Sequence, residues 1–458
     1  MATSKVAPDV FTTLLSRMGD ARARTDAIFD LLPPNSFYER PIPERHRLIF
    51  YLGHLEAFDW NLLNGALGLE SADPAFDKLF AFGIDPVGGG LPSDRPGDWP
   101  NIAIAEKYKQ RVRQRLDQAL AKFYSAPDPR EPLLANGTLL HVAIEHRMMH
   151  AETLAYLLHS LPLERKIPQP APARDSRPAP EPRFIAIPPG TATLGKSRDA
   201  GTFGWDNEFG DMKIDVPAFS IGAYPVTNAE YLEFVQACGY EDSRYWRPQD
   251  WEWKRQQRLN HPHFWLPRSS SATTDAATKW EYRSMFGIIP LPHSWPVYVS
   301  HAEASAFARW AGKKLPTEAQ WHRAAYGTPS AAASSTRQEI EREYPWGDAP
   351  PDSTRGNFGS QSWHASPVDA HPAGASAFGV HDLLGNGWEW TSTEFGPLPG
   401  FTAFPFYKGY SADFFDGKHF VMKGGSARTD ISMLRRSFRN WFQPHYPYVY
   451  ATFRCVEE

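Results

Sequence analysis

The sequence predicts two domains, an N-terminal all-α four-helix bundle and a C-terminal α+β domain. Residues 8–161 contain four long segments whose apolar residues recur at helical spacing. Six prolines between positions 168 and 182 then exclude a continuing helix and favour an extended connector. After the connector, short apolar runs alternate with turns rich in Gly, Pro and Asn, which is typical of an α+β domain. The predicted boundaries are 1–165 for the bundle, 166–183 for the linker and 184–458 for the second domain.

Four helices are predicted in the first domain. Their sequences are PDVFTTLLSRMGDARARTDAIFDLL, RHRLIFYLGHLEAFDWNLLNGAL, IAIAEKYKQRVRQRLDQALAKFY and GTLLHVAIEHRMMHAETLAYLLHSL. The second is apolar almost throughout and is expected to be largely buried, whereas the third carries a charged face for solvent. Short links join them apart from one long connection at about residues 65–100, an arrangement in which the bundle core often holds a metal.

The second domain shows two helices with clear end signals. TNAEYLEFVQACG is expected to begin at Thr227 or Asn228 and to stop at Gly239. PTEAQWHRAAYG is expected to begin at Thr317 and to stop at Gly327. Other runs, such as FIAIPPGTATLG and PVYVSHAEASAFARWAG, are short and apolar and alternate with turns, as in an α+β domain with much irregular structure.

The composition excludes several classes of function. A net charge of −4 without a basic run argues against nucleic acid or an anionic membrane as the main partner. Cys238 and Cys455 are the only cysteines, too few for a disulfide framework or a cysteine-based zinc site, and they favour a reducing compartment. The N-terminal residues lack the apolar core of a signal peptide, so we expect a cytoplasmic protein that acts on small molecules.

Three histidines are candidate metal ligands. His146 and His150 stand four residues apart in the fourth helix, so both imidazoles lie on one face. His54 lies within the apolar second helix, where an unpaired imidazole would be costly. Three imidazoles from two facing helices would form an open site with positions for O₂ and substrate. His141 lies about 140° away round the helix and is a poor candidate.

A non-metal interpretation stays open at this point, because a buried histidine is more often a hydrogen-bonded core residue than a ligand. The nearby carboxylates are equally ambiguous. Glu152 and Glu56 could support the ligands or could be solvated charges, and for Glu56 the solvated interpretation is favoured.

The C-terminal domain carries a characteristic order of motifs. These are LPTEAQWHRAA, YPWGD, GVHDLLGNGWEWTSTEF, VMKGGSARTD and RRSFRNWFQPHYPYVYATFRC. Together they resemble the formylglycine-generating enzymes and their relatives, which have a C-type-lectin-like fold, over residues 184–458. The sulfatase-activating members use a pair of cysteines near the C-terminus. Cys455 stands without a nearby partner in the sequence, so that copper and cysteine chemistry is not expected.

The N-terminal region resembles the DinB-like bundles, and the two domains in this order resemble the ergothioneine-type sulfoxide synthases over nearly the whole chain. That family carries one upstream histidine and the pattern His-x-x-x-His-x-Glu, matched by His54 and by HRMMHAE at 146–152. Its members are iron(II) enzymes that use O₂ to join a thiol to the imidazole C2 of hercynine (trimethylhistidine). The resemblance implies that His54, His146 and His150 bind iron.

The same resemblance suggests residues for the substrates. Asn440 and Trp441 in SFRNWF match the hercynine-binding positions, and an indole face attracts a quaternary ammonium while an amide can bind a carboxylate. Arg95 lies in the long bundle loop, where the family places arginines for the carboxylates of the donor. A tyrosine that supplies a proton is expected in sulfoxide-forming members, and Tyr407 and Tyr410 are the candidates, although both could be packing residues.

Three departures from the family pattern concern the donor. Met149 replaces the usual Gln before the last histidine, and Phe442 replaces the Asp that follows Asn-Trp in the actinobacterial branch. The bundle loop reads IDPVGGGLP, with Gly88–Gly90 where branches that use cysteine place tyrosines. These absences favour slightly the related selenoneine synthases, which take a selenosugar as donor.

Three alternatives remain at this stage. The chain could be a classical ergothioneine sulfoxide synthase that takes cysteine or γ-glutamylcysteine. It could be a non-catalytic lectin-like binding module with relic histidines. The bundle alone would also suit a thiol transferase that uses a divalent metal without O₂, but that function leaves the second domain unexplained.

Overall fold

The structure is a computed structural model that describes residues 8–81, 92–175, 177–268, 279–329 and 341–457. The chain divides into two compact units, Met1–Gln169 and Pro170–Glu458. The point of division lies within the proline-rich segment of the sequence. Among the described helices, none combines the length and the apolar character needed to cross a lipid bilayer.

The first unit is entirely helical over its described residues. Its helices are α1 (Pro8–Phe29), α2 (Leu48–Leu63), α3 (Pro74–Leu79), α4 (Ile102–Ser125), α5 (Pro132–Ala135) and α6 (Thr138–Ser160). The four long ones correspond to the four predicted segments, α1 packs on α6, and α2 packs on both α4 and α6. The predicted all-α four-helix bundle is therefore confirmed, and the long connection contains the short helix α3.

Local sequence explains the placement of α2 and α6, the helices that contain the three candidate histidines. In α2, thirteen of the sixteen residues are buried, as expected for a helix that is apolar almost all round. Helix α6 begins after Gly137, whose φ of +80° is a conformation that favours glycine. It is also buried along nearly its whole length, so both helices lie in the centre of the bundle.

The second unit mixes four helices with short strands among the described residues. The helices are α7 (Asn228–Gln236), α8 (Pro248–Gln257), α9 (His301–Trp310) and α10 (Glu318–Tyr326). The strands are β1 (Phe184–Ile187), β2 (Gly190–Leu194), β3 (Met212–Val216), β4 (Phe219–Gly222), β5 (Trp265–Pro267), β6 (Trp280–Arg283), β7 (Ile288–Pro290), β8 (Gly387–Glu394), β9 (Phe420–Gly425), β10 (Asn440–Phe442), β11 (Ala451–Thr452) and β12 (Val456–Glu457). The predicted α+β class is confirmed.

The strands form small sheets of two to four strands over the described residues. Their orders are β1-β4-β12, β2-β3, β5-β6-β7 and β10-β9-β8-β11. In the last sheet β10 runs antiparallel to β9, which places Trp441 opposite Val421. Helix α10 packs against β2, β3, β8 and β9, and its Trp321 is fully buried in the main core of this unit. The motif that contains Asn440 and Trp441 is therefore an edge strand of the largest described sheet.

Two predicted helices occur where expected, and two were missed. Helices α7 and α10 follow Thr227 and Thr317, whose side chains accept hydrogen bonds from the first turn. Helices α8 and α9 were not predicted, and α9 lies within PVYVSHAEASAFARWAG, which the sequence marked only as a short apolar run. Helix α9 is favoured by the capping box formed by Ser300 and Glu303, followed by alanines that favour helix.

Candidate functional site

The three predicted histidine ligands meet in the core of the bundle. His54 comes from α2, and His146 and His150 come from successive turns of α6. One ring nitrogen from each lies within 4.8 Å of the others, and each side chain is at most 5% exposed. Three nitrogen donors at this separation can bind one metal ion and leave other coordination positions open.

The main chain fixes the tautomer of His54. Its Nδ1–H donates to the carbonyl of Phe80 at 2.7 Å, so Nε2 carries the lone pair. That Nε2 is buried and has no hydrogen-bond partner among the described residues. A buried acceptor left in this state fits a metal ligand better than a hydrogen-bonded core histidine.

Burial keeps all three imidazoles neutral. It lowers the pKa of His54 to about 4. Burial, and after it the charge of the neighbouring histidines, lowers the pKa of His146 and of His150 well below the usual range. Because a neutral imidazole is the form that binds metals, the cluster is ready for a cation at neutral pH without losing protons.

Aromatic rings hold two of the imidazoles in place. Phe58 stacks on His146 with ring centroids 3.4 Å apart, and Phe50 stacks on His54 at 4.7 Å. Phe50, His54 and Phe58 are spaced four residues apart on α2, so they lie along one helical face. This i, i+4 spacing of aromatic residues around His54 is visible in the sequence and is a signal for the ring contacts.

A buried ion-pair network lies next to the histidines. Arg147, between the two α6 ligands, donates to Glu56 at 3.1 Å and to Asp59 at 2.7 Å, and these three side chains are at most 1% exposed. Arg113 also binds Glu56, at 2.8 Å. Burial alone would raise the pKa of Glu56, but the two guanidinium charges outweigh burial and bring that pKa to about 2.

The solvated interpretation of the two glutamates is therefore wrong. Glu56 is buried because Arg147 and Arg113 compensate its charge, a pairing between distant residues that local sequence does not reveal. Glu152 is also buried, at 9% exposure.

In the second unit, Trp441 lies in an aromatic cluster. Phe395 stacks on its ring at 4.2 Å with an interplanar angle of 7°. The edge of Tyr410 meets the ring at 5.4 Å, and Phe414 lies at 5.6 Å. Trp441 is only partly buried, so part of this residue is exposed although Phe395 covers its ring on one side. This is an arrangement suited to a cation on an aromatic face.

Asn440 has an orientation that follows from one hydrogen bond. Its Oδ1 accepts from the backbone N–H of Trp441 at 2.9 Å. The acceptor of the amide is thus occupied, and the Nδ2 group, which carries two hydrogens, is the part that can donate to a ligand.

The two candidate tyrosines lie at different distances from Trp441. Tyr410 contacts Trp441 and stacks on Trp205 at 3.9 Å. Tyr407 lies one ring further away, 5.6 Å from Tyr410. Phe442, the next residue of the strand, stacks on Tyr446 at 5.2 Å.

The remaining predicted site residues are Arg95, Met149 and the glycines of the bundle loop. Arg95 is exposed at the start of a 3-10 turn. Its neighbour Asp94, which is partly buried, binds Arg40, Arg47 and Trp99. Met149 is half-buried in α6 beside His150. Gly88–Gly90 lie outside the described residues.

Comparisons with known proteins agree with this two-part organisation. Residues 169–458 match the sulfatase-modifying factor enzyme 1-like domain, and residues 17–154 match the DinB superfamily. The hercynine oxygenase of Mycolicibacterium smegmatis is 37% identical over 67% of this chain and 69% of its own length. That of Mycolicibacterium thermoresistibile is 35% identical over 84% of this chain and 80% of its own.

The chain belongs to the ergothioneine-type sulfoxide synthase family. Membership in this family makes the protein an oxidative enzyme. A more distant relative, ergothioneine biosynthesis protein 1 of Neurospora crassa, is 28% identical over 93% of this chain. This chain spans about half of that relative, 56% of its length. The motifs that suggested the family, HRMMHAE and SFRNWF, contain two of the three clustered histidines, His146 and His150, and the partly buried Trp441.

Proposed function

We propose that this synthase uses iron(II) and O₂ to form a bond between a chalcogen of a donor and the imidazole C2 of hercynine. The proposal rests on three neutral, buried histidines, His54, His146 and His150, in a chain of this family. Their candidate ligand atoms lie within 4.8 Å of one another. Relatives named hercynine oxygenase support the choice of hercynine. Bound iron(II) would supply open coordination positions and a redox centre for O₂ chemistry, with the donor and hercynine as the net source of electrons.

The residues around the histidines would prepare the iron site before the metal arrives. The Phe80 carbonyl holds Nδ1–H of His54, so the lone pair of Nε2 is fixed. The rings of Phe58 and Phe50 restrict imidazole rotation and exclude water. The neutral donor set has no carboxylate among its three members, which suits a ferrous site that must keep further positions for substrates.

Hercynine would be held through its two charged ends. Its trimethylammonium has no hydrogen-bond donor, and the partly buried Trp441 beside Tyr410 suits such a cation. The free Nδ2 of Asn440 would donate to the carboxylate. Tyr410, which touches Trp441, is a better placed proton donor than Tyr407.

Replacing Trp441 with alanine is expected to weaken hercynine binding by about 1–2 kcal/mol, because the cation–π contact is lost. Isothermal titration of the iron(II) protein under anaerobic conditions measures the change. Trp253→Ala is a suitable control, since Trp253 stacks on His445 and contacts no residue of the Trp441 cluster among the described rings. Unchanged affinity in the Trp441 variant would remove this residue from the site.

Gly53→Ala is expected to lower iron affinity by about 10–100-fold, the usual effect of disturbing a ligand's supporting hydrogen bond. A Cβ at Gly53 would lie 2.5 Å from the ring of Phe80, whose carbonyl holds His54. Competition with a chromogenic iron chelator measures the affinity. Gly19→Ala is the control, because a Cβ at this helical glycine meets no atom within 4 Å. Equal affinities in both variants would show that Phe80 does not position His54.

The donor is proposed to be a selenosugar, with a thiol as the alternative. Three departures support this choice: Met149, Phe442 and the tyrosine-free loop IDPVGGGLP. Phe442 stacks on Tyr446, so an apolar surface stands where the actinobacterial branch has a carboxylate. We would incubate the protein with iron(II) and hercynine, add O₂ with selenoglucose, cysteine or γ-glutamylcysteine in parallel, and identify products by mass spectrometry. Turnover with the thiols but not with selenoglucose would contradict the selenosugar assignment.

A further inference from the structure

The segment Trp205–Glu208 connects two parts of the candidate hercynine site. Asp206 accepts a hydrogen bond from Ser411 at 2.6 Å, next to Tyr410. Glu208 accepts from Ser437 at 2.7 Å, three residues before Asn440. Trp205 stacks on Tyr410 at 3.9 Å, and Tyr410 meets Trp441. The segment therefore ties the tyrosines to the strand that carries Asn440 and Trp441.

Asn207, in the middle of this segment, differs from its neighbours. Its side chain is 1% exposed, yet neither Oδ1 nor Nδ2 has a hydrogen-bond partner in the described part of the chain. Asp206 and Glu208 on either side satisfy their oxygens within the protein. Buried amides are almost always hydrogen-bonded, because an unmet donor or acceptor costs free energy. A bound ligand would give the amide of Asn207 the partner that it lacks among the described residues.

We propose that the Nδ2 group of Asn207 donates a hydrogen bond to the carboxylate of hercynine. The inference rests on the proposed function and adds a second amide donor to that of Asn440. A carboxylate accepts several hydrogen bonds, and a charged acceptor makes a stronger bond to an amide than a neutral one does. The trimethylammonium, which has neither donor nor acceptor, would stay with the aromatic cluster around Trp441.

The test compares hercynine with trimethylhistaminium, the same cation without its carboxylate. In the full-length iron(II) protein under anaerobic conditions, Asn207→Leu is expected to weaken hercynine binding by about tenfold or more. Its affinity for trimethylhistaminium should not change. The thermal midpoint should stay the same or rise, because a buried group without a partner in the protein has been removed.

Two further variants separate loss of the hydrogen bond to hercynine from a general loss of stability. Asn228→Leu is the matched control, since this buried amide is satisfied by Pro292 and Trp265. It should lower the thermal midpoint and leave hercynine affinity unchanged. Asn207→Asp keeps the shape and adds a negative charge, so it should weaken hercynine binding at least as much as Asn207→Leu while trimethylhistaminium binds equally or more tightly.

Wild-type hercynine affinity in Asn207→Leu, together with a lowered midpoint, would overturn the inference and assign the amide to an internal ordered water. Equal weakening of both ligands would also overturn it, because the carboxylate would then not be the partner. Failure of the wild-type protein to bind hercynine at all would overturn the proposed function itself.

Discussion

His150→Ala is expected to abolish iron binding and turnover together. Replacing residues that merely support a metal ligand already costs about 10–100-fold in affinity, so removal of one of three ligands costs more. His150 is 1% exposed and lies among side chains already packed around it, so water cannot easily take its place. Iron content after anaerobic reconstitution and gel filtration, together with product formation from hercynine, measures both losses.

The control for this variant is His141→Ala in the same helix. His141 is half-buried and does not belong to the histidine cluster among the described residues, so its removal should leave iron content near one per chain. Full iron content in His150→Ala would refute the assignment of the ligand set. Loss of iron in both variants would indicate damage to α6 rather than loss of a ligand.

Arg147→Ala is expected to destabilise the metal-free protein by about 3–5 kcal/mol, because it leaves two buried carboxylates without their shared cation. Glu56 and Asp59 both bind Arg147, and all three side chains are at most 1% exposed. Urea unfolding of the metal-free protein at pH 7, followed by circular dichroism in the far ultraviolet, measures the change in free energy of unfolding.

Arg130→Ala provides the comparison. Arg130 pairs with Asp128 on the surface, with 85% of its side chain exposed, and its removal should leave the unfolding midpoint unchanged. Equal midpoints for the two variants and the wild type would show that the network next to the histidines contributes nothing to the stability of the bundle.

Patterns within single segments predicted much of this molecule. Apolar spacing located the four long helices, and capping residues located α7 and α10. The i, i+4 spacing placed His146 and His150 on one face, and the apolar surroundings of His54 suggested a buried third member. Each of these predictions depends on residues close together in the sequence, where the geometry of a helix is known in advance.

Contacts between distant segments could not be predicted in the same way. The carbonyl of Phe80 lies 26 residues after His54, and no pattern in the sequence marks a backbone atom as the support of a ligand. No sequence pattern indicates that Phe395 stacks on Trp441 or that Arg147 pairs with Glu56, because the two residues of each pair lie far apart in the chain. One signal was available, since Gly53 interrupts an apolar helix, and a glycine at such a position often marks the close approach of another group.

The most direct test of the central claim uses hercynine that carries deuterium at the imidazole C2. The iron(II) protein would receive this substrate, O₂ and a mixture of selenoglucose, cysteine and γ-glutamylcysteine, and the products would be weighed by mass spectrometry. We expect a product that has gained a sulfur or selenium substituent and lost the deuterium, and we expect no such product from His150→Ala. Recovery of hercynine with its deuterium intact, from protein that holds one iron per chain, would contradict the claim.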